Sequence, residues 1–151
     1  MFLACFATLT MAGEPATADR YDASRDAQAD IAAALAAAPQ SKRRVLLFVG
    51  GDWCRDCREM DALFASDAAL RNLRDSRYLP VKVFLGTQNR NEAVLARYPK
   101  INWVPTLFEL ADDGSVLRAA PSTLFHDGNA LSARKLAAFL AADPCPSVEC
   151  K

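Results

Sequence analysis

The stretch Val45-Leu46-Leu47-Phe48-Val49-Gly50-Gly51-Asp52-Trp53-Cys54-Arg55-Asp56-Cys57 decides how the rest of this 151-residue chain is read. Five apolar residues in a row, closed by glycine, form the pattern of a strand buried on both faces, and such strands belong to sheets covered by helices. Two cysteines at i and i+3 follow at once, where the chain leaves the strand and opens a helix. At a helix N-terminus the unpaired backbone N–H groups and the helix dipole favour a thiolate, the form in which cysteine attacks a disulfide. Cys54 is therefore the expected attacking sulfur. Cys57, one turn inside, is expected to be more buried and to attack the mixed disulfide from within, releasing reduced substrate. Arg55 should favour the Cys54 thiolate and Asp56 oppose it, while Trp53 packs over the helix start or shields the site.

Apolar spacing sets out the remaining elements. Residues 22–38 are alanine-rich, with Ala27, Ile31, Leu35 and Ala38 on one helical stripe that Pro39 should stop. A helix is expected from Cys54 to about Leu63, a further helical turn or two over 68–73, and a second strand over 78–85, where Val81, Val83 and Leu85 alternate with Pro80, Lys82 and Phe84. Asn89 can cap a helix reaching Tyr98, which Pro99 ends. Strands over 106–110 and 115–119 flank Asp112-Asp113-Gly114, a hairpin signal in which glycine supplies the positive φ. Ser132 should cap a last helix ending near Ala142. The order predicts an α/β domain: a βαβ unit, then a ββα unit, giving a mixed sheet of about four strands with helices on both faces.

The ends of the chain bear on its compartment. The first twelve residues carry no charge, and Ala16 and Ala18 form an Ala-x-Ala site, so residues 1–18 are expected to be a cleaved signal peptide. The domain would then span 19–142 and a tail 143–151. Cleavage would remove Cys5 and Glu14, leaving Cys54, Cys57, Cys145 and Cys150 and a net charge of +1 in place of 18 Lys+Arg against 18 Asp+Glu. An even cysteine count suits an oxidising compartment, periplasmic or secreted. Cys145 and Cys150, among Pro144 and Pro146, are expected to close a local disulfide that staples the tail.

The strand LLFVGG, the site DWCRDC and Trp103-Val104-Pro105-Thr106 together resemble a thioredoxin-fold thiol-disulfide oxidoreductase over roughly residues 22–142. The Gly-Gly-Asp-Trp-Cys wording and the leader look more like exported, periplasmic thioredoxin-like proteins, including the C-terminal domain of the transmembrane disulfide reductase, than like cytosolic thioredoxin. The resemblance implies a thioredoxin fold, a cis Val104–Pro105 peptide facing the cysteines, and pairing of the Val104 backbone with an extended substrate segment beside Trp53. It implies that Lys82 stands where the family often has a lysine. Two features depart from the family. Phe48 takes the place of a buried Asp that cytosolic members carry six residues before the first cysteine, and Asp52 and Glu59 are the candidates to take over proton transfer. Arg55-Asp56 replaces the Gly-Pro of cytosolic members, a dipeptide that sets reduction potential. The family look favours reduction of protein disulfides.

Other readings stand beside this one. The 54/57 pair could be a permanent disulfide in a non-catalytic binding module, or half a zinc site; Cys145 lies 88 positions beyond Cys57, far outside zinc-ribbon spacing, so no metal is assigned. His126 reads as a solvated or capping loop residue. Balanced charge without a basic block argues against nucleic acid as a partner. No later run reaches membrane-spanning length. Protein thiols and a redox partner protein are the expected partners, with no cofactor and a monomeric chain.

Overall fold

The computed structural model describes residues 20–144. The expected leader over 1–18 and the Cys145–Cys150 clip lie outside them.

The apolar run becomes strand β1, Arg44–Gly50, and every residue after Arg44 in it is buried. Both its faces are covered: Leu46 and Phe48 enter one core cluster, while Val45, Leu47 and Val49 enter another on the opposite side. Strand β2, Tyr78–Phe84, pairs parallel to β1 with Phe48 opposite Lys82, and β3, Thr106–Leu110, pairs antiparallel on the other side. Strand β4, Val116–Pro121, completes the order β2-β1-β3-β4 at the edge. Gly114 turns the β3–β4 hairpin with φ +81°, in the left-handed region where glycine carries no Cβ penalty. This is the mixed four-stranded thioredoxin-like sheet expected.

Helix α1, Ala27–Ser41, packs Ala27, Ile31, Ala34 and Ala38 against one face of this sheet. Asp26 caps it by accepting from Ala29 N–H at 3.0 Å. Pro39 does not stop the helix. A proline in the last turn forfeits only its own bond to the carbonyl four residues back, and the helix continues until Lys42 enters the left-handed region at φ 55°. The opposite face receives α2, Arg55–Ser66, and α3, Ala68–Arg77, which is longer than the turn or two expected. Asp67 divides them: its extended backbone breaks the path, and its carboxylate accepts from Leu70 N–H at 2.9 Å.

The segment after β2 is also corrected. Helix α4 is only Glu92–Leu95, because Asn89 closes a tight turn on Asn91 N–H at 2.9 Å instead of capping, and Asn91 itself has φ 48°. After β4 the chain makes a 3₁₀ turn, Ser122–Phe125, and a small hairpin, β5, His126–Asp127, with β6, Ala130–Leu131. Neither was expected. Helix α5, Ala133–Ala141, capped by Ser132, then buries Leu136 and Leu140 beside α3. No helix among the described residues is long and apolar enough to cross a membrane.

Candidate active site

Strand β1 delivers the chain to a turn at Gly51–Trp53, and Cys54 becomes the N-cap of α2. Its Sγ accepts a hydrogen bond from Cys57 N–H at 3.2 Å, so the first sulfur takes the place that a serine or aspartate oxygen takes in an ordinary cap. The Cys54 S–H donates to the Val104 carbonyl at 3.4 Å. Cys57 sits deeper, 1% exposed against 7% for Cys54, and both are free thiols. Burial, followed by the interaction with Cys54, pushes the Cys57 thiol well above its ordinary range. Gly50 makes room for this sulfur: a Cβ there would lie 2.5 Å from Cys57 Sγ.

The Val104–Pro105 peptide bond is cis. Its loop is tied down by Ser122, whose N–H donates to the Pro105 carbonyl at 2.8 Å and whose hydroxyl donates to that of Val104 at 3.3 Å. Trp53 and Trp103 remain 58% and 61% exposed. The Trp53 indole N–H donates to the Leu85 carbonyl at 2.9 Å, and its ring lies so close over Gly51 that a Cβ there would stand 2.7 Å from Cδ1. A family model described as thioredoxin-like matches residues 26–111, more than half of the chain. The chain belongs to the thioredoxin-like family.

Among solved structures, this thioredoxin-like protein is similar to a disulphide isomerase from Xylella fastidiosa Temecula1, with 26% identity and a TM-score of 0.70 over 80% of this chain and 93% of that one. It is also similar in fold to the DsbD C-terminal domain of Neisseria meningitidis in its oxidised form. There the identity is 22% and the TM-score 0.55, over 76% of this chain and 92% of that one. No curated protein matches the chain.

The residues between the cysteines face a structural task as well as an electrostatic one. Arg55 donates to the Asn129 carbonyl at 3.0 Å, Asp56 pairs with His126 Nε2 at 2.8 Å, and Glu59 accepts from Leu131 N–H at 2.8 Å. Three side chains on the first turns of α2 thus grip the β5–β6 hairpin. His126, expected as a solvated or capping residue, is the hydrogen-bonding partner of Asp56 in this thioredoxin-like site. The two lie 70 positions apart, a separation that local pattern cannot bridge.

Phe48 shares a core cluster with the two cysteines. Its ring packs edge-on against Phe64 with centroids 5.9 Å apart, at the position where the resemblance implies a buried Asp. Lys82, in register beside Phe48, pairs instead with Asp61 of α2 at 2.5 Å. Burial raises the Asp61 carboxyl above its usual range, against the pull of Lys82. Of the two candidates for proton transfer, Glu59 accepts from the hairpin's Leu131 N–H at 2.8 Å and Asp52 lies 3.9 Å from an exposed Arg20. Asp61 escaped sequence reasoning, although its i+4 spacing from Cys57 on one helix was a usable signal. Among the described residues no group of three or more His, Cys, Asp or Glu side chains is placed to hold a metal.

Proposed function

We propose that this protein exchanges disulfides with protein substrates through Cys54 and Cys57, with reduction the favoured direction. The observation that carries the reading is the pairing of one sulfur at a helix N-cap with a second buried directly behind it. Cys54 thiolate attacks one sulfur of a substrate disulfide; a Cys54–substrate bond forms, and the other substrate sulfur departs with the electron pair and takes up a proton. Cys57, deprotonated, then attacks Cys54 Sγ. The 54–57 disulfide forms, the substrate's second sulfur leaves as a thiolate, and the proton given up by Cys57 balances the one it gains. The substrate is reduced by two electrons and the protein oxidised by two. The likeness to a disulphide isomerase at 26% identity supports chemistry of this class.

Trp53, Val104 and Pro105 line the groove in this reading, and Arg55, Asp56 and Lys82 tune the pair. The oxidised protein needs a redox partner to recharge it. Export to an oxidising compartment, on the strength of the apolar leader, and a Cys145–Cys150 clip on the tail complete the proposal.

Replacing the resolving sulfur tests it. Cys57→Ser leaves Cys54 able to attack but removes the second step, so a mixed disulfide with substrate proteins is expected to accumulate, to be cleaved by dithiothreitol, and to map to Cys54 by mass spectrometry. If no such conjugate forms while Cys54 is free, the pair is a structural element of a binding module.

A further inference from the structure

The carboxylate that the family resemblance places under the second cysteine is absent, yet the second sulfur is not left against hydrocarbon alone. Tyr21 enters this space from the segment before α1, outside the matched residues 26–111. It is 6% exposed, and a Cβ built on Gly50 would stand 2.5 Å from Cys57 Sγ and 3.2 Å from Tyr21 Oη, so the sulfur and the hydroxyl border the same small space that the missing Gly50 side chain leaves open. Two bonds fix the segment that carries it: Ser24 N–H donates to Asp22 Oδ1 at 2.8 Å, and the Asn89 amide donates to the Ala23 carbonyl at 3.0 Å. Above the ring stands Lys82, with Nζ 4.7 Å from the centroid and held there by Asp61.

The geometry points to Tyr21 as the hydrogen-bond donor to the resolving Cys57 thiolate, held in place by the Lys82–Asp61 pair. This deepens the exchange reading and rests on it. Burial, with the nearby Cys57, Asp61 and Cys54, keeps the phenol protonated far above its ordinary range, so it is a donor and not a base. A cation over the ring face draws electron density from the phenol and strengthens the O–H as a donor. The Cys57 proton therefore does not pass to Tyr21. It balances the proton gained by the leaving substrate thiolate, and Tyr21 retains its own throughout.

Removing only the hydroxyl, in Tyr21→Phe, isolates this role. A hydrogen bond to a charged sulfur is worth about 1.5–3 kcal/mol, which lowers the thiolate fraction by about 10- to 150-fold. The thiolate that remains is more nucleophilic, with a Brønsted slope of about 0.4–0.5, so resolution should slow by about 3- to 20-fold. The reduced protein is mixed in stopped flow with one equivalent of the aromatic disulfide dithiobis(nitrobenzoate). The first coloured thiolate reports attack by Cys54 and the second reports resolution by Cys57. Tyr21→Phe is expected to slow the second phase by that factor and to leave the first unchanged. A ring-monofluorinated tyrosine at position 21, a stronger donor of nearly the same shape, should speed the second phase. The inference is overturned if the second phase is unchanged in Tyr21→Phe, if both phases slow together, or if the fluorinated protein is slower. Release of only one equivalent by the wild-type protein overturns the exchange reading itself, and with it any role for Tyr21 in resolution.

Discussion

Cys54→Ser is expected to reduce turnover of a protein disulfide to the buffer rate while leaving the fold intact. The two halves of this expectation come from the same hydrogen bond. Cys54 Sγ caps α2 by accepting from Cys57 N–H, and serine is among the best residues for that position, so the helix start and the melting temperature should survive the change. A serine hydroxyl, however, is not ionised near neutral pH and does not attack disulfide sulfur, so nothing replaces the lost thiolate. The variant should trap no substrate, in contrast to Cys57→Ser. Insulin reduction with dithiothreitol as donor, read beside a thermal melt, checks both halves; full turnover in the variant would sink the assignment of Cys54.

Glu109→Ala is expected to give the largest loss of stability. Glu109 is fully buried in the centre of β3 on the face that meets α5. Arg118 Nε donates to one carboxylate oxygen at 2.7 Å. Arg44 Nε approaches the other at 2.6 Å, an ionic contact that is not aligned as a hydrogen bond. Arg118 also donates to the Tyr78 hydroxyl at 3.2 Å, and that hydroxyl donates to the Leu140 carbonyl at 3.2 Å. One carboxylate therefore organises contacts among β1, β2, β3, β4 and α5. Without it two guanidinium groups face each other across a cavity. Breaking a buried ion pair from one side costs about 3–5 kcal/mol, and the lower end applies because Arg44 keeps some access to water. Against a total of about 5–15 kcal/mol this is a large fraction, corresponding to a fall in melting temperature of roughly 10–20 °C. Urea midpoints for Glu109→Ala and the wild type measure it, and a change below about 1 kcal/mol would contradict the network described.

These two residues mark where the sequence was legible and where it was not. The run Val45 to Val49 could be read as a doubly covered strand because five apolar residues leave no polar face, and both faces of β1 are covered. Cys54 was placed at a helix start from its neighbours alone, since capping is a matter of adjacent residues. Gly114 was found for the same reason. Glu109, by contrast, reads as the polar position of a strand until Arg44 and Arg118, which are remote or on another strand, arrive beside it. Tyr21, Asp61 and His126 are likewise defined by partners contributed by other elements. Pro39 was misread through a local rule that holds in helix interiors and is weak in a last turn. What escaped sequence reasoning is chiefly the set of polar side chains whose partners the fold supplies.

The most direct test of the exchange chemistry is the redox equilibrium of the 54/57 pair. Protein equilibrated in a series of glutathione buffers, acid-quenched and alkylated, is scored by mass for the peptide containing both cysteines. The account predicts one reversible two-electron transition on that peptide, with a potential between about −270 and −120 mV, lost in Cys57→Ser. A pair that stays oxidised in every buffer, with a potential below about −300 mV, would be a structural disulfide and would contradict it.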